Sequence, residues 1–176
     1  MLQYRALCAD EICRELFAGF TRHQTVTKCW RKEKNEWVIK DAPFTDDWTE
    51  ADYQTLVTCL KNTAYTGGFV YAAFLDGVLK GFVCVESGLF GGEQNYLDLS
   101  SIHVSEDMRR SGVGTALFRA AKDWARKNGA RKLYISAHSA VESQAFYRRM
   151  GCAEAQVYHQ GHVEKEPFDC QLECRL

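Results

Sequence analysis

The chain has 176 residues, a length that fits one domain with a single core and leaves no room for a second full one. With 22 Lys and Arg against 23 Asp and Glu, the formal net charge is -1, so no whole-molecule field recruits nucleic acid or an anionic membrane. The eight cysteines, Cys8, Cys13, Cys29, Cys59, Cys84, Cys152, Cys170 and Cys174, stand singly, with no Cys-x-x-Cys pair and no His at ligand spacing. That pattern predicts reduced, mostly buried thiols and no metal site.

The opening Met1–Leu7 lacks the apolar core and cleavage site of a signal peptide, and no apolar run approaches the roughly 20 residues that cross a bilayer, so a soluble cytoplasmic protein is expected. Leu2–Leu7 reads as a first strand, and Asp10 as the cap of a helix through Glu11–Phe17. From Phe20 to Trp48 the periodicity is poor, with only Glu36–Lys40 suggesting a short strand among Trp30, Trp37, Phe44 and Trp48. Thr49 followed by Asp52 approximates a capping box, opening a helix whose apolar face is Tyr53, Leu56, Val57 and Leu60. Phe69–Leu75 and Val78–Glu86 form a hairpin about Asp76-Gly77, a dipeptide suited to a tight primed turn. A glycine-rich connection, Ser87–Asn95, follows and is expected to form a lip over a binding site.

Tyr96–Val104 alternates as a strand, and Val113, Leu117, Ala120, Ala121 and Trp124 recur at helical spacing up to the stop Asn128-Gly129. Between them lies Arg109-Arg110-Ser111-Gly112-Val113-Gly114-Thr115. A glycine turn leading from a strand into a helix exposes unpaired backbone N–H groups at the positive end of the helix dipole, where an anion is favoured. The turn is therefore expected to hold phosphate. A Walker loop would need Lys and then Ser or Thr after the last glycine, and a dinucleotide fingerprint would need a small residue at Leu117; neither is present. A further strand, Lys132–Ala137, precedes a helix over Ser143–Met150, on which Val141, Ala145, Phe146 and Met150 make the apolar face and Tyr147 takes a flank. Ala155–His159 and Asp169–Leu176 read as two closing strands with a turn at Gly161–Pro167.

The run Arg109-x-x-Gly112-x-Gly114, followed by a strand and then by Ala145-Phe146-Tyr147-x-x-x-Gly151, resembles the GCN5-related N-acetyltransferase (GNAT) superfamily, with its three signature pieces in family order. The resemblance implies an α/β fold of the mixed α+β kind: a central, mostly antiparallel sheet of about seven strands flanked by helices, forming one domain over residues 1–176. It implies acetyl-CoA as co-substrate without a metal, and transfer of its acetyl group to a primary amine by direct attack in a ternary complex. Family resemblance is also compatible with a homodimer. By the same resemblance Arg109, Arg110, Ser111, Gly112, Val113, Gly114 and Thr115 would grip the pyrophosphate, and Ile102, His103 and Val104 would run along the pantetheine. The Ile102 amide would face the thioester oxygen. Tyr147, protonated at neutral pH by its ordinary pKa near 10, is the candidate acid for the leaving thiolate; the competing reading is a core aromatic.

A base is harder to assign. Asp98 occupies the place where several members of the family carry an acidic base, and by strand parity it shares a face with Ser100 and Ile102, turning His103 to the opposite face as a structural histidine. Glu86 and Glu93 are alternatives. Two positions depart from the pattern. Ala140 stands where many members have an Asn that reaches the cofactor arm, leaving Ser139 or Ser143 as substitutes, and Cys152 replaces the usual aromatic after Gly151. The aromatics of 20–48 fall in the region that shapes the acceptor pocket in the family. A small-molecule amine is the expected acceptor, slightly favoured to be cationic by Asp46, Asp47, Glu86, Glu93 and Asp98. A non-catalytic acyl-CoA sensor, or an acyltransferase with another donor or an oxygen acceptor, are the competing functions.

Overall fold

The computed structural model describes residues 1–176. In chain order the elements are β1 (Leu2–Ala6), β2 (His23–Glu33), β3 (Glu36–Asp47), α1 (Glu50–Tyr65), β4 (Phe69–Leu75), β5 (Val78–Val85), β6 (Tyr96–Val104), α2 (Val113–Lys127), β7 (Lys132–Ala137), α3 (Val141–Arg149), β8 (Ala153–Glu154), α4 (Gln160–Lys165) and β9 (Cys170–Arg175). Seven strands form one sheet in the order β1-β4-β5-β6-β7-β9-β8, and β2 and β3 pair only with each other. Every neighbouring pair in the large sheet is antiparallel except β6 with β7. No helix is long and apolar enough to cross a membrane.

The one parallel pair creates the site. β6 and β7 are in register only from Tyr96↔Lys132 to Asp98↔Tyr134. Beyond that, β6 continues along β5 as far as Val104, while β7 continues along β9 as far as Ala137. The strands therefore splay after three residue pairs and open a wedge in the middle of the sheet. A β-bulge lies at the opening, since Val85 pairs with Leu99 but Cys84 pairs with Ser101, leaving Ser100 as the extra residue of β6. Bulges bend and twist the strand that carries them, which suits a strand leaving its neighbour.

The bulge also reverses side-chain parity. Leu97 and Leu99 pack on the face covered by α2, and after the bulge so do Ile102 and Val104. Asp98, Ser101 and His103 consequently share the other face, the one bearing α1, where His103 packs edge-on to Trp48 at 4.7 Å. Strict alternation from Asp98 had put Ile102 on its face and His103 on the opposite one; the extra residue inverts both.

Two apolar clusters follow from these faces. Val113, Leu117, Phe118, Ala121 and Ala125 of α2 pack on Val83, Val85, Leu97, Leu133 and Ile135. On the other face Tyr53, Val57 and Leu60 of α1 pack on Val70, Phe82 and Cys84, with Ile12 and Phe17 closing the edge. The expected capping box at Thr49 and Asp52 is present, with both reciprocal bonds. The segment expected to be a helix over Glu11–Phe17 is instead two 3-10 turns, Ala9–Glu11 and Arg14–Phe17, because Ile12 and Cys13 adopt extended backbone and bring Ile12 into the core.

Residues 20–48 differ most from the sequence reading. They form the long hairpin β2–β3, whose turn residues Lys34 and Asn35 both have positive φ. Its strands lack apolar alternation because most of their side chains face solvent; only Val26 and Cys29 are fully buried, against Ala140, and a register shift between Val26 and Lys28 separates them. The hairpin is tied down where Trp30 N donates to Ser139 O at 2.8 Å and Arg31 Nη1 donates to Ser139 Oγ at 2.7 Å. At the other end, Ala155–His159 is not a strand. β8 stops at Glu154, and the expected turn contains α4, whose cap is the His159 side chain accepting from His162 N.

Candidate active site

The turn after β6 is built as an anion cradle. Arg110 has φ 61° and Gly112, the residue before α2, has φ 88°, a value that glycine adopts freely and a residue with Cβ does not. Gly112 supplies no side-chain cap. The first helical amide with a partner is Ala116 N, donating to Gly112 O at 3.0 Å, so the N–H groups of Val113, Gly114 and Thr115 remain available at the positive end of the dipole. Gly114 permits close packing, since a Cβ there would lie 3.4 Å from Phe146 and 3.5 Å from Val104. Both arginines are exposed, but Arg109 Nη2 donates to His23 O and braces the hairpin, whereas Arg110 makes no side-chain hydrogen bond within the chain. Ser111 Oγ donates back to Met108 O.

A second set of free groups lies along β6. Ser105 N donates to Lys80 O at 2.9 Å, which makes that pair hydrogen-bonded. Antiparallel ladders alternate, so His103 and Ser101 bond to Phe82 and Cys84, while the N–H and C=O groups of Val104 and Ile102 turn away from β5 into the wedge. The wedge and the turn belong to one cleft of about 1070 Å³, at the upper end of the roughly 300–1,000 Å³ common for small-molecule sites. Asp98, Ile102, His103, Val104, Arg109, Arg110, Gly112, Gly114, Thr115, Ser143 and Tyr147 all line it. Ser111, Val113 and Ser139 do not. Val113 is buried in the core beneath α2, and Ser139 is buried and held by Arg31. Of the two serines expected to replace the missing amide side chain, only Ser143 borders the cleft, and Ala140 is buried against Cys29.

Tyr147 lies on the buried side of α3 with Gln144, while Ala145, expected in the apolar face, is exposed. Its ring packs at 5.3 Å from Phe146 and 6.3 Å from Phe118. Burial drives its hydroxyl well above the usual range, so it keeps its proton, and the hydroxyl has no hydrogen-bond partner within the chain. At the inner end of β6, Asp98 Oδ2 meets His162 Nε2 at 2.6 Å, and the hydrogen bond to Asp98 raises the imidazole pKa of His162. Asp98 Oδ1 is buried and unpaired. The His162 ring stacks on Tyr134. Beside it Glu86 Oε1 accepts from Thr63 Oγ1 at 2.8 Å and Ser100 Oγ at 2.7 Å, so this alternative base is already engaged.

His103 is held neutral, its pKa pushed down to about 3 by burial and by the nearby Arg22 and Arg109. Glu93 is exposed and lies outside the cleft; the Ser87–Asn95 connection folds away from it, with Phe90 and Tyr96 exchanging backbone hydrogen bonds and the Phe90 ring against Tyr134. His162, Asp169 and Arg22 border the cleft without having been singled out from the sequence. A six-residue helix has too few turns to show periodicity, and Arg22 lies in a segment with none.

The family model described as the acetyltransferase (GNAT) family matches residues 28–152. A search of curated proteins gives no significant match. Among solved structures, a Bacillus anthracis str. Ames protein assigned as a streptothricin acetyltransferase, in complex with acetyl coenzyme A, superposes with a TM-score of 0.75 at 16% identity, over 100% of this chain and 99% of that one. Nourseothricin acetyltransferase gives 0.64 at 20% identity, over 98% and 95%. The PaiA N-acetyltransferase of Thermoplasma acidophilum, in complex with coenzyme A, gives 0.59 at 14% identity, over 100% and 99%.

Proposed function

The chain belongs to the GNAT family and is an acetyl-CoA-dependent acyltransferase, and from that premise we propose that it moves the acetyl group to the amine of a small molecule by direct attack within a ternary complex. The observation that carries this reading is the wedge between β6 and β7, continuous with the unpaired amides at the start of α2. A phosphate-bearing arm that enters at the α2 turn would lie along the free edge of β6, antiparallel to it, with the thioester beside Ile102.

In this reading Val113, Gly114 and Thr115 N–H groups bind the pyrophosphate, assisted by Arg110. The N–H and C=O groups of Val104 and Ile102 pair with the pantetheine amides, and the Ile102 amide donates to the oxyanion of the tetrahedral intermediate. A fixed donor of this kind is worth about 3 kcal/mol in the transition state. Tyr147 gives its proton to the departing thiolate. Tyr147 borders the cleft with its hydroxyl protonated, so a proton is at hand as sulfur gains charge. Asp98, oriented by His162, takes a proton from the bound ammonium to give the neutral amine that attacks, and the second proton shed by nitrogen as the amide forms makes good the one Tyr147 gives to sulfur. Most of the rate enhancement in such a scheme is proximity and electrostatic preorganisation.

A small acceptor is supported by the cleft, which Gln24 and Thr25 of β2 and Thr55 and Leu56 of α1 also line. It is supported also by structural relatives whose names refer to small-molecule acceptors. The test is thiol release from acetyl-CoA across a panel of amines, with calorimetric titration of coenzyme A alongside. Amine-dependent thiol release supports the proposal. Tight coenzyme binding without turnover across the panel favours a sensor, and no coenzyme binding overturns the reading altogether.

A further inference from the structure

Arg22 precedes β2 and lines the cleft with a side chain that is only 10% exposed. Its Nη2 donates to Asp46 Oδ2 at 2.5 Å, but Nε and Nη1 are buried and have no partner. A guanidinium loses its hydration on burial and holds its place only when its donors are satisfied, so unmade bonds on two of its three nitrogens mark an incomplete site. Asp46 and Asp47 lie near this guanidinium, and a second cation does too. Arg109 lies within Coulombic reach and is bonded to a backbone carbonyl and not to a carboxylate, so Asp46 is the sole acid bonded to either arginine. Trp48 forms the floor, with the guanidinium 5.6 Å above its ring, and the same indole contacts His103.

The position decides what anion fits. Arg22, Trp48 and His103 occupy the α1 face of the sheet, whereas the turn that cradles phosphate leads into α2 on the other face. His103 is the neighbour of Ile102, and Arg22 reaches it through Trp48 on the face of β6 that bears α1, the side left for an acceptor. We propose that Arg22 recognises a carboxylate on the acceptor, which makes the acceptor an amine that also carries an acidic group. The planar fork of donors matches a carboxylate, and Trp48, packed by Phe20 and Tyr53, holds the guanidinium in place. This inference rests on the acetyl-transfer reading, with the amine at the Asp98 end and the carboxylate at the Arg22 end.

The test uses the coenzyme A complex of the intact protein and of Arg22→Gln, titrated by calorimetry with N-acetylglycine and N-acetylglycinamide as product-like probes. The wild-type complex is expected to bind the carboxylate at least tenfold more tightly than the amide, and Arg22→Gln to abolish that preference while its coenzyme A affinity stays within twofold. Arg22→Lys, which keeps the charge without the fork, should retain part of the preference. Equal binding of the two probes by the wild-type complex, or no binding of either, overturns the assignment. A fall in coenzyme A affinity in Arg22→Gln also overturns it, by moving the anion to the coenzyme phosphates. Thiol release with amines tests the acetyl-transfer reading separately. Turnover of amines with no discrimination for carboxylates sinks the Arg22 assignment alone, whereas coenzyme binding without any amine turnover counts against acetyl transfer.

Discussion

Gly81 of β5 lies beneath the first turn of α2, and replacing it with alanine tests whether that contact sets the phosphate-binding turn. An added Cβ would stand 2.9 Å from Val113 Cγ1, 3.0 Å from Leu117 Cδ1 and 3.3 Å from His103 O. Carbon atoms rest about 3.5–4.0 Å apart, so roughly half an ångström must be found. Leu117 can rotate, but Val113 is β-branched, fully buried and restricted to one preferred rotamer in a helix, so the helix start has to move. Overpacking of this kind costs about 1–3 kcal/mol, and alanine recovers about 0.4–1 kcal/mol by restricting the unfolded chain. The net loss, about 0–2.6 kcal/mol, should appear as a lower urea midpoint with an unchanged slope. The same displacement shifts the amides of Val113, Gly114 and Thr115, and a loss of about 1.4 kcal/mol there weakens coenzyme A about tenfold by calorimetry. Gly88, whose added Cβ would meet nothing within 4 Å, is the control, and Gly88→Ala should leave coenzyme A affinity unchanged and raise stability by about 0.4–1 kcal/mol. A Gly81→Ala protein as stable as the parent and binding coenzyme A equally well would refute the argument that β5 positions the turn.

Three further expectations can be checked directly. Tyr147→Phe removes a hydroxyl that has no partner in the chain, so thermal stability should hold while kcat falls about 10²–10⁴-fold in the thiol-release assay, as expected for loss of a general acid; an equal loss of stability and activity would point to a core role. The His162 pKa is raised by its bond to Asp98, so its contribution to stability is fully present below the unfolded value of about 6.5 and fades as pH rises through the folded value. His162→Gln should flatten that part of the stability profile, and an unchanged profile between pH 6 and 8, roughly the window of an imidazole, would show that the pair is not coupled. Lys132 and Glu173 form an ion pair at 2.7 Å with both side chains 10% exposed. Burial raises the Glu173 pKa, but bonds from Lys132 and Tyr96 outweigh it and lower it. Lys132→Met leaves that carboxylate only its bonds from Tyr96 Oη and Gln156 N and should cost about 3 kcal/mol at neutral pH, the low end for a broken buried pair. The penalty should shrink in acid as Glu173 takes up a proton, and a pH-independent penalty would assign it to lost packing.

The uneven legibility of the sequence has a physical pattern. β6, β7 and the β4–β5 hairpin were readable because each buries one face or both in the core and therefore alternates or runs apolar; the Asp76-Gly77 turn and the Thr49 capping box were readable because they have local chemistry of their own. The β2–β3 hairpin was not, since its strands face solvent and the cleft and contribute only Val26 and Cys29 to a buried cluster. α4 was not, since six residues span fewer than two turns. The bulge at Ser100 is invisible to any strict period of two, yet it decides that His103 and Asp98 share a face. Placing His103 beside Trp48 and Arg22 therefore depends on one extra residue, and so does leaving the Ile102 amide free at the edge of the wedge. The groups assigned to the shared coenzyme come mostly from backbone of strongly periodic elements. The side chains that would choose the acceptor, Arg22, Trp48 and His162, come from segments with little period because they face a cleft and not the core. For such a protein the acyl donor can be read from pattern, and the acceptor has to be read from unsatisfied groups in three dimensions.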